Sequence, residues 1–121
     1  QKQLEKIKCD IHRFIDSYET NGKKIAVWGA GHQALAVLAL TEIKDKVTFV
    51  VDSAPFKQDK YTPGTHIPIV SPEYLEKQKS EIAAVLIMAA SYSDEVAGIV
   101  RSKYKNMAVG ILRDDGIEEI R

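Results

Sequence analysis

Apolar residues Leu4, Ile7, Ile11, Phe14, Ile15 and Tyr18 recur at spacings of three and four, which places them on one stripe of an amphipathic helix ending near Asn21-Gly22. Cys9 falls off that stripe. The pattern then changes to a continuous run, Lys24-Ile25-Ala26-Val27-Trp28, that breaks into Gly29-Ala30-Gly31 and resumes as an Ala- and Leu-rich helical stretch over residues 33–43. A second run, Val47-Thr48-Phe49-Val50-Val51, ends in Asp52, so strand, helix and strand follow one another as in a right-handed βαβ unit with parallel strands. A long polar loop over 55–66, with Pro63-Gly64 as its turn signal, leads to a short strand candidate, Ile67-Pro68-Ile69-Val70. Pro68 limits that strand to an edge or gives it a terminal proline. Ser71-Pro72-Glu73 supplies an N-cap, a proline at the first helical position and an acid in the first turn, predicting a helix over 72–79.

Ala83-Ala84-Val85-Leu86-Ile87-Met88 is the third strong buried strand, and Ser93 or Asp94 caps a helix over 95–105 whose stripe is Val96, Ile99, Val100 and Tyr104. Met107-Ala108-Val109-Gly110-Ile111 closes the sheet, and the remainder to Arg121 reads as a short final helix or turn. The sum is an α/β chain: a Rossmann-like three-layer sandwich with a mostly parallel sheet of four to five strands and an N-terminal amphipathic helix. Residues 1–22 read as that helix and a connector to an upstream domain, residues 23–121 as the Rossmann-like domain.

With 121 residues the chain has room for one domain. The 17 Lys and Arg balance 17 Asp and Glu, which argues against nucleic acid or an anionic lipid surface as a partner. A single cysteine excludes an internal disulfide or a cysteine-based zinc cluster and fits a reducing cytoplasm. The longest apolar run, residues 83–90, is far short of the ~20 residues of a membrane span. The chain opens on Gln-Lys-Gln without a methionine, as a piece of a longer polypeptide would.

Candidate chemistry gathers where strands end. Gly29-Ala30-Gly31-His32-Gln33-Ala34 is a Gly-x-Gly-x-x-Ala turn between strand and helix, with Asp52 closing the next strand. Glycines there let backbone N–H groups approach a phosphate, the helix N-terminus favours negative charge, and the acid is placed for a ribose. A packing turn without ligand is the competing reading, and a second mononucleotide half could only be abbreviated at this length. His32 is either a phosphate donor or an exposed cap. Tyr92 opens a crevice-facing loop, whereas Trp28 reads as core. His12 and His66 have no partner at metal-ligand spacing, so no metal site is assigned, and no catalytic constellation is present.

The stretch from Val50-Val51-Asp52-Ser53-Ala54-Pro55 through Phe56-Lys57-Gln58-Asp59-Lys60-Tyr61 to Thr62-Pro63-Gly64-Thr65-His66-Ile67-Pro68-Ile69 resembles the signature of the C-terminal domain of SAM-dependent sugar C-methyltransferases. The similarity extends upstream into the Gly29-Ala30 turn and downstream through Ser71-Pro72 and Ser91-Tyr92-Ser93-Asp94-Glu95. The resemblance implies an enzyme in which a zinc-binding segment and a SAM-binding catalytic domain precede this module. The module itself would help to hold a nucleotide-linked sugar, with S-adenosylmethionine bound elsewhere in the full-length enzyme and no cofactor assigned here. Where the family commonly carries lysine and glycine in the first turn, this chain has Gln33 and Ala34, which removes a charge-assisted phosphate contact.

The substrate-binding candidates are therefore Gly29, Gly31, His32, Asp52, Ser53, Lys57, Lys60, Thr62, Gly64, Thr65, His66 and Tyr92. Lys57 and Lys60 could pair with a diphosphate, and Thr62, Thr65 and the backbone at Gly64 could hydrogen-bond a sugar or base edge. Two other functions stay open: an NAD(P)-binding domain of an oxidoreductase, supported by the glycine turn and Asp52, and a protein-interaction module that takes no small molecule.

Overall fold

The strands with unbroken apolar runs need both faces covered, and the fold supplies a helical layer on each side of the sheet. The computed structural model describes residues 2–121. In chain order its elements are α1 (Lys2–Tyr18), β1 (Lys24–Trp28), α2 (His32–Leu40), β2 (Phe49–Val51), β3 (Lys60–Tyr61), β4 (Pro68–Val70), α3 (Pro72–Gln78), β5 (Ile82–Ile87), α4 (Ser93–Lys103), β6 (Ala108–Arg113) and β7 (Gly116–Ile120). Ile25 and Val27 of β1 point into the core under α1 and α2, while Ala26 and Trp28 point into the core under α3 and α4. Among the described residues no helix is long and apolar enough to cross a membrane.

The sheet order is β3-β4-β2-β1-β5-β6-β7. Strands β4, β2, β1, β5 and β6 are parallel, with Val27 of β1 opposite Val50 of β2 and Leu86 of β5. An antiparallel strand closes each edge. The sheet thus has seven strands and is mixed, a correction to the expected four or five. The two extra strands escape periodicity for different reasons. β3 has two residues, too few to show a period. In β7 the spacing of Ile117 and Ile120 mimics a helix, but in a strand it sends them to opposite faces, one against each core. A two-residue hairpin loop sets that register, with Arg113 opposite Gly116. β3 also covers β4, so Pro68 is not on an edge; it is tolerated as the first residue of its strand.

α1 is a layer of this domain. Ile11 and Ile15 are fully buried, and the Phe14 ring lies over Gly110 of β6 so closely that a Cβ there would sit 2.8 Å from it. α2 stops at Leu40, short of Ile43: the Thr41 N–H still bonds Val37 O, but Glu42 turns to φ +59° and carries Ile43 into the core from a turn. Ser71 caps α3 as its sequence predicts, accepting from the Tyr74 N–H.

Candidate functional site

The strand order reverses between β1 and β5, and in open α/β sheets the loops leaving such a pair diverge to leave a crevice at the carboxyl ends. A cavity of about 400 Å³ lies there, walled by the turn after β1, the segment after β2 and the loop after β5. Gly29 makes the turn possible. Its φ is +130°, and a Cβ on it would lie 2.2 Å from the Met88 carbonyl oxygen of the neighbouring strand end. Gly31 differs: its φ is −81°, and a Cβ would meet nothing within 4 Å. It is the N-cap of α2 without a side-chain cap, and the first helical bond runs from the Leu35 N–H to Gly31 O. The N–H groups of His32, Gln33 and Ala34 therefore have no helical acceptor, on the wall of the cavity.

Asp52 joins two walls. Its Oδ2 accepts from the Ala30 N–H at 2.9 Å and its Oδ1 from the Ala54 N–H at 2.9 Å. Gln58 Nε2 donates to the Asp52 carbonyl at 2.8 Å, which folds the segment after β2 back toward the crevice. Lys57 is thereby brought to the cavity, its Nζ 3.8 Å from Asp52 Oδ2. On the far wall Ala90 takes φ +50°, and the buried Ser93 Oγ accepts from the Ala89 N–H at 3.0 Å, leaving Tyr92 exposed at the rim. α4 also starts at this end, so two helix N-termini point toward the crevice. Asp94 in its first turn is engaged by Arg113 at 2.8 Å, and the hydrogen bond and charge of that guanidinium hold its carboxyl below the usual carboxylate range.

Of the sequence candidates, Gly29, Gly31, His32, Asp52, Ser53, Lys57 and Tyr92 line this one cavity. Trp28 is both: it belongs to the core and its edge forms part of the wall. Lys60, Thr62, Gly64, Thr65 and His66 lie elsewhere. Tyr61 pairs with Pro68 at the start of β4, which puts the intervening turn at the amino ends of the parallel strands. Gly64 and Thr65 there border a separate hollow beside Leu38 and Glu42, at the other end of α2, which a nine-residue helix sets ~13 Å from its start.

The turn's polar groups serve the turn itself. Thr62 is buried, with its Oγ1 accepting from the Ile67 N–H at 2.8 Å and 2.5 Å from Thr65 Oγ1. The Tyr61 and His66 rings stack at 4.2 Å. Gln58 went unassigned in the sequence although it sits inside the matched signature, because its role depends on a backbone carbonyl that only the folded chain brings near.

The sequence pattern of the C-methyltransferase C-terminal domain matches residues 1–109. The chain belongs to that family. This C-methyltransferase C-terminal domain is 29% identical over 93 residues to the C-methyltransferase NovU of Streptomyces niveus, covering 76% of this chain and 22% of NovU. It therefore corresponds to a small part of that relative. A UDP-D-quinovosamine 4-dehydrogenase from Vibrio fischeri has a similar fold, with a TM-score of 0.62 at 24% identity over 82% of this chain and 93% of that one.

Proposed function

We propose that this C-methyltransferase C-terminal domain is the substrate-positioning module of a cytoplasmic, SAM-dependent sugar C-methyltransferase, holding the diphosphate of a nucleotide-linked sugar in the switch-point crevice. The observation that carries the reading is the meeting, on one cavity, of the uncapped first turn of α2 with the Lys57 ammonium. Backbone N–H groups and a cation are the donors that a diphosphate requires, and the open Cβ direction at Gly31 leaves room for it to approach. These groups offer a partial substitute for the lysine that the first turn lacks at Gln33. The contribution to methyl transfer is proximity: the nucleotide end is anchored here, and the sugar carbon is presented to the methyl donor of an upstream SAM-binding domain of the same polypeptide. No residue of this domain is assigned a bond-making step.

Calorimetric titration with UDP and with dTDP tests the reading. Saturable binding that Lys57→Ala weakens by ~10-fold, the loss of one charge-assisted contact, is the expected result. Heat-silent titrations of both the domain and the full-length enzyme, or binding indifferent to Lys57, would overturn it.

A further inference from the structure

A Rossmann domain that takes a dinucleotide offers the acidic side chain at the end of its second strand to the ribose hydroxyls. Asp52 holds that place, and both of its carboxylate oxygens also serve the protein. Oδ2 accepts the Ala30 N–H and Oδ1 the Ala54 N–H, both at 2.9 Å; Lys57 Nζ stands 3.8 Å from Oδ2; and the side chain is only 15% exposed. Its backbone is equally occupied, the N–H on Val70 O and the carbonyl on Gln58 Nε2.

Ala30 is 3% exposed, and its N–H takes the Asp52 carboxylate as its partner.

We infer that Asp52 is a positioning residue: its carboxylate ties the glycine turn after β1 to the segment after β2, and this tie fixes the crevice for a mononucleoside diphosphate. The inference rests on the nucleotide reading above for its ligand and on the hydrogen bonds alone for its positioning role. The tie acts on both ligand groups. It sets the turn that leads into His32, Gln33 and Ala34, whose N–H groups have no helical acceptor, and it sets the segment that carries Lys57. The two backbone amides donate to an ionised carboxylate, and such charge-assisted bonds are stronger than neutral ones.

The test uses Asp52→Asn and Asp52→Ala with two separate readouts. In the ligand-free domain, amide hydrogen exchange at Ala30 and Ala54 should be slow in the wild type. It should quicken by ~10-fold or more at one of them in Asp52→Asn, which keeps one accepting oxygen, and at both in Asp52→Ala. UDP affinity should fall in the same order, Asp52→Asn retaining part of what Asp52→Ala loses.

Unchanged exchange at both amides in both variants overturns the inference. So does a UDP affinity that stays constant while the thermal midpoint falls, the mark of a purely structural residue. Exchange that quickens as expected beside a wild type indifferent to UDP supports the tie and overturns the nucleotide reading instead.

Discussion

Two glycines two residues apart on the crevice turn carry opposite demands, and replacing each with alanine separates fold from site. At Gly29 the backbone has φ +130°, where an L side chain costs about 1–3 kcal/mol. Its Cβ would also stand 2.2 Å from Met88 O, a backbone atom whose residue donates its N–H to Trp28 O at 2.8 Å. Relief requires moving the end of β5 by about an ångström against β1, an overpacking cost of about 1–3 kcal/mol. Gly29→Ala should thus lose about 4 kcal/mol, a large share of the roughly 5–15 kcal/mol of a typical domain.

Gly31→Ala meets neither penalty. Its φ is ordinary and its Cβ enters open space, and the weaker N-cap is offset by reduced freedom of the unfolded chain, leaving stability within about 0.5 kcal/mol. Its methyl does stand on the cavity wall, so UDP binding should weaken by ~10-fold. Urea unfolding of the three proteins, with nucleotide titration of those that fold, reads both quantities. Equal stability of Gly29→Ala and wild type, or a Gly31→Ala as unstable as Gly29→Ala, would refute the argument.

Gly110→Ala places a Cβ 2.8 Å from the Phe14 ring and should cost about 1–3 kcal/mol by urea titration; no loss would mean that α1 does not seat on β6 as described. Ser93→Ala strips the acceptor from the Ala89 N–H and should cost about 1–3 kcal/mol, with faster exchange at that amide as its local signature. Tyr104 is buried and donates to Glu76 at 3.0 Å, and burial first, then that bond, pushes its phenol up to about 12. Below pH ~10 both states keep the proton and the contribution is whole. Between there and about 12 the unfolded chain loses the proton while the native one holds it, so stability falls as pH rises. Tyr104→Phe should remove that part of the decline in alkaline urea titrations, and an identical decline in the variant would contradict the assignment.

The parallel core of the fold was legible because it rests on unbroken apolar runs: Ile25 to Trp28 and Ala83 to Met88 must be buried on both faces, whatever surrounds them. The edges were not. β3 and β7 exist through pairing with β4 and β6; both residues of β3 are exposed, and Ile117 and Ile120 of β7 obey contacts on two different faces rather than one period. The site divides in the same way. The glycine turn and Asp52 follow from strand ends and chain direction, so their meeting was readable. The signature from Lys57 to His66 reads as one loop in sequence, but pairing of Lys60 and Tyr61 with β4 carries its second half to the amino ends of the strands. Asp52 follows β2 directly, yet its two amide partners, one of them on another strand's turn, depend on geometry that no spacing reveals.

The central claim is that a nucleoside diphosphate seats in the crevice between the turns after β1 and β5. Amide NMR spectra of the isotope-labelled domain titrated with UDP or dTDP test it directly. The account predicts shifts concentrated at residues 29–34, Ser53, Lys57 and Tyr92, with the turn over 62–66 unmoved. Shifts centred on that turn, or none at either place in both the domain and the full-length enzyme, would contradict it.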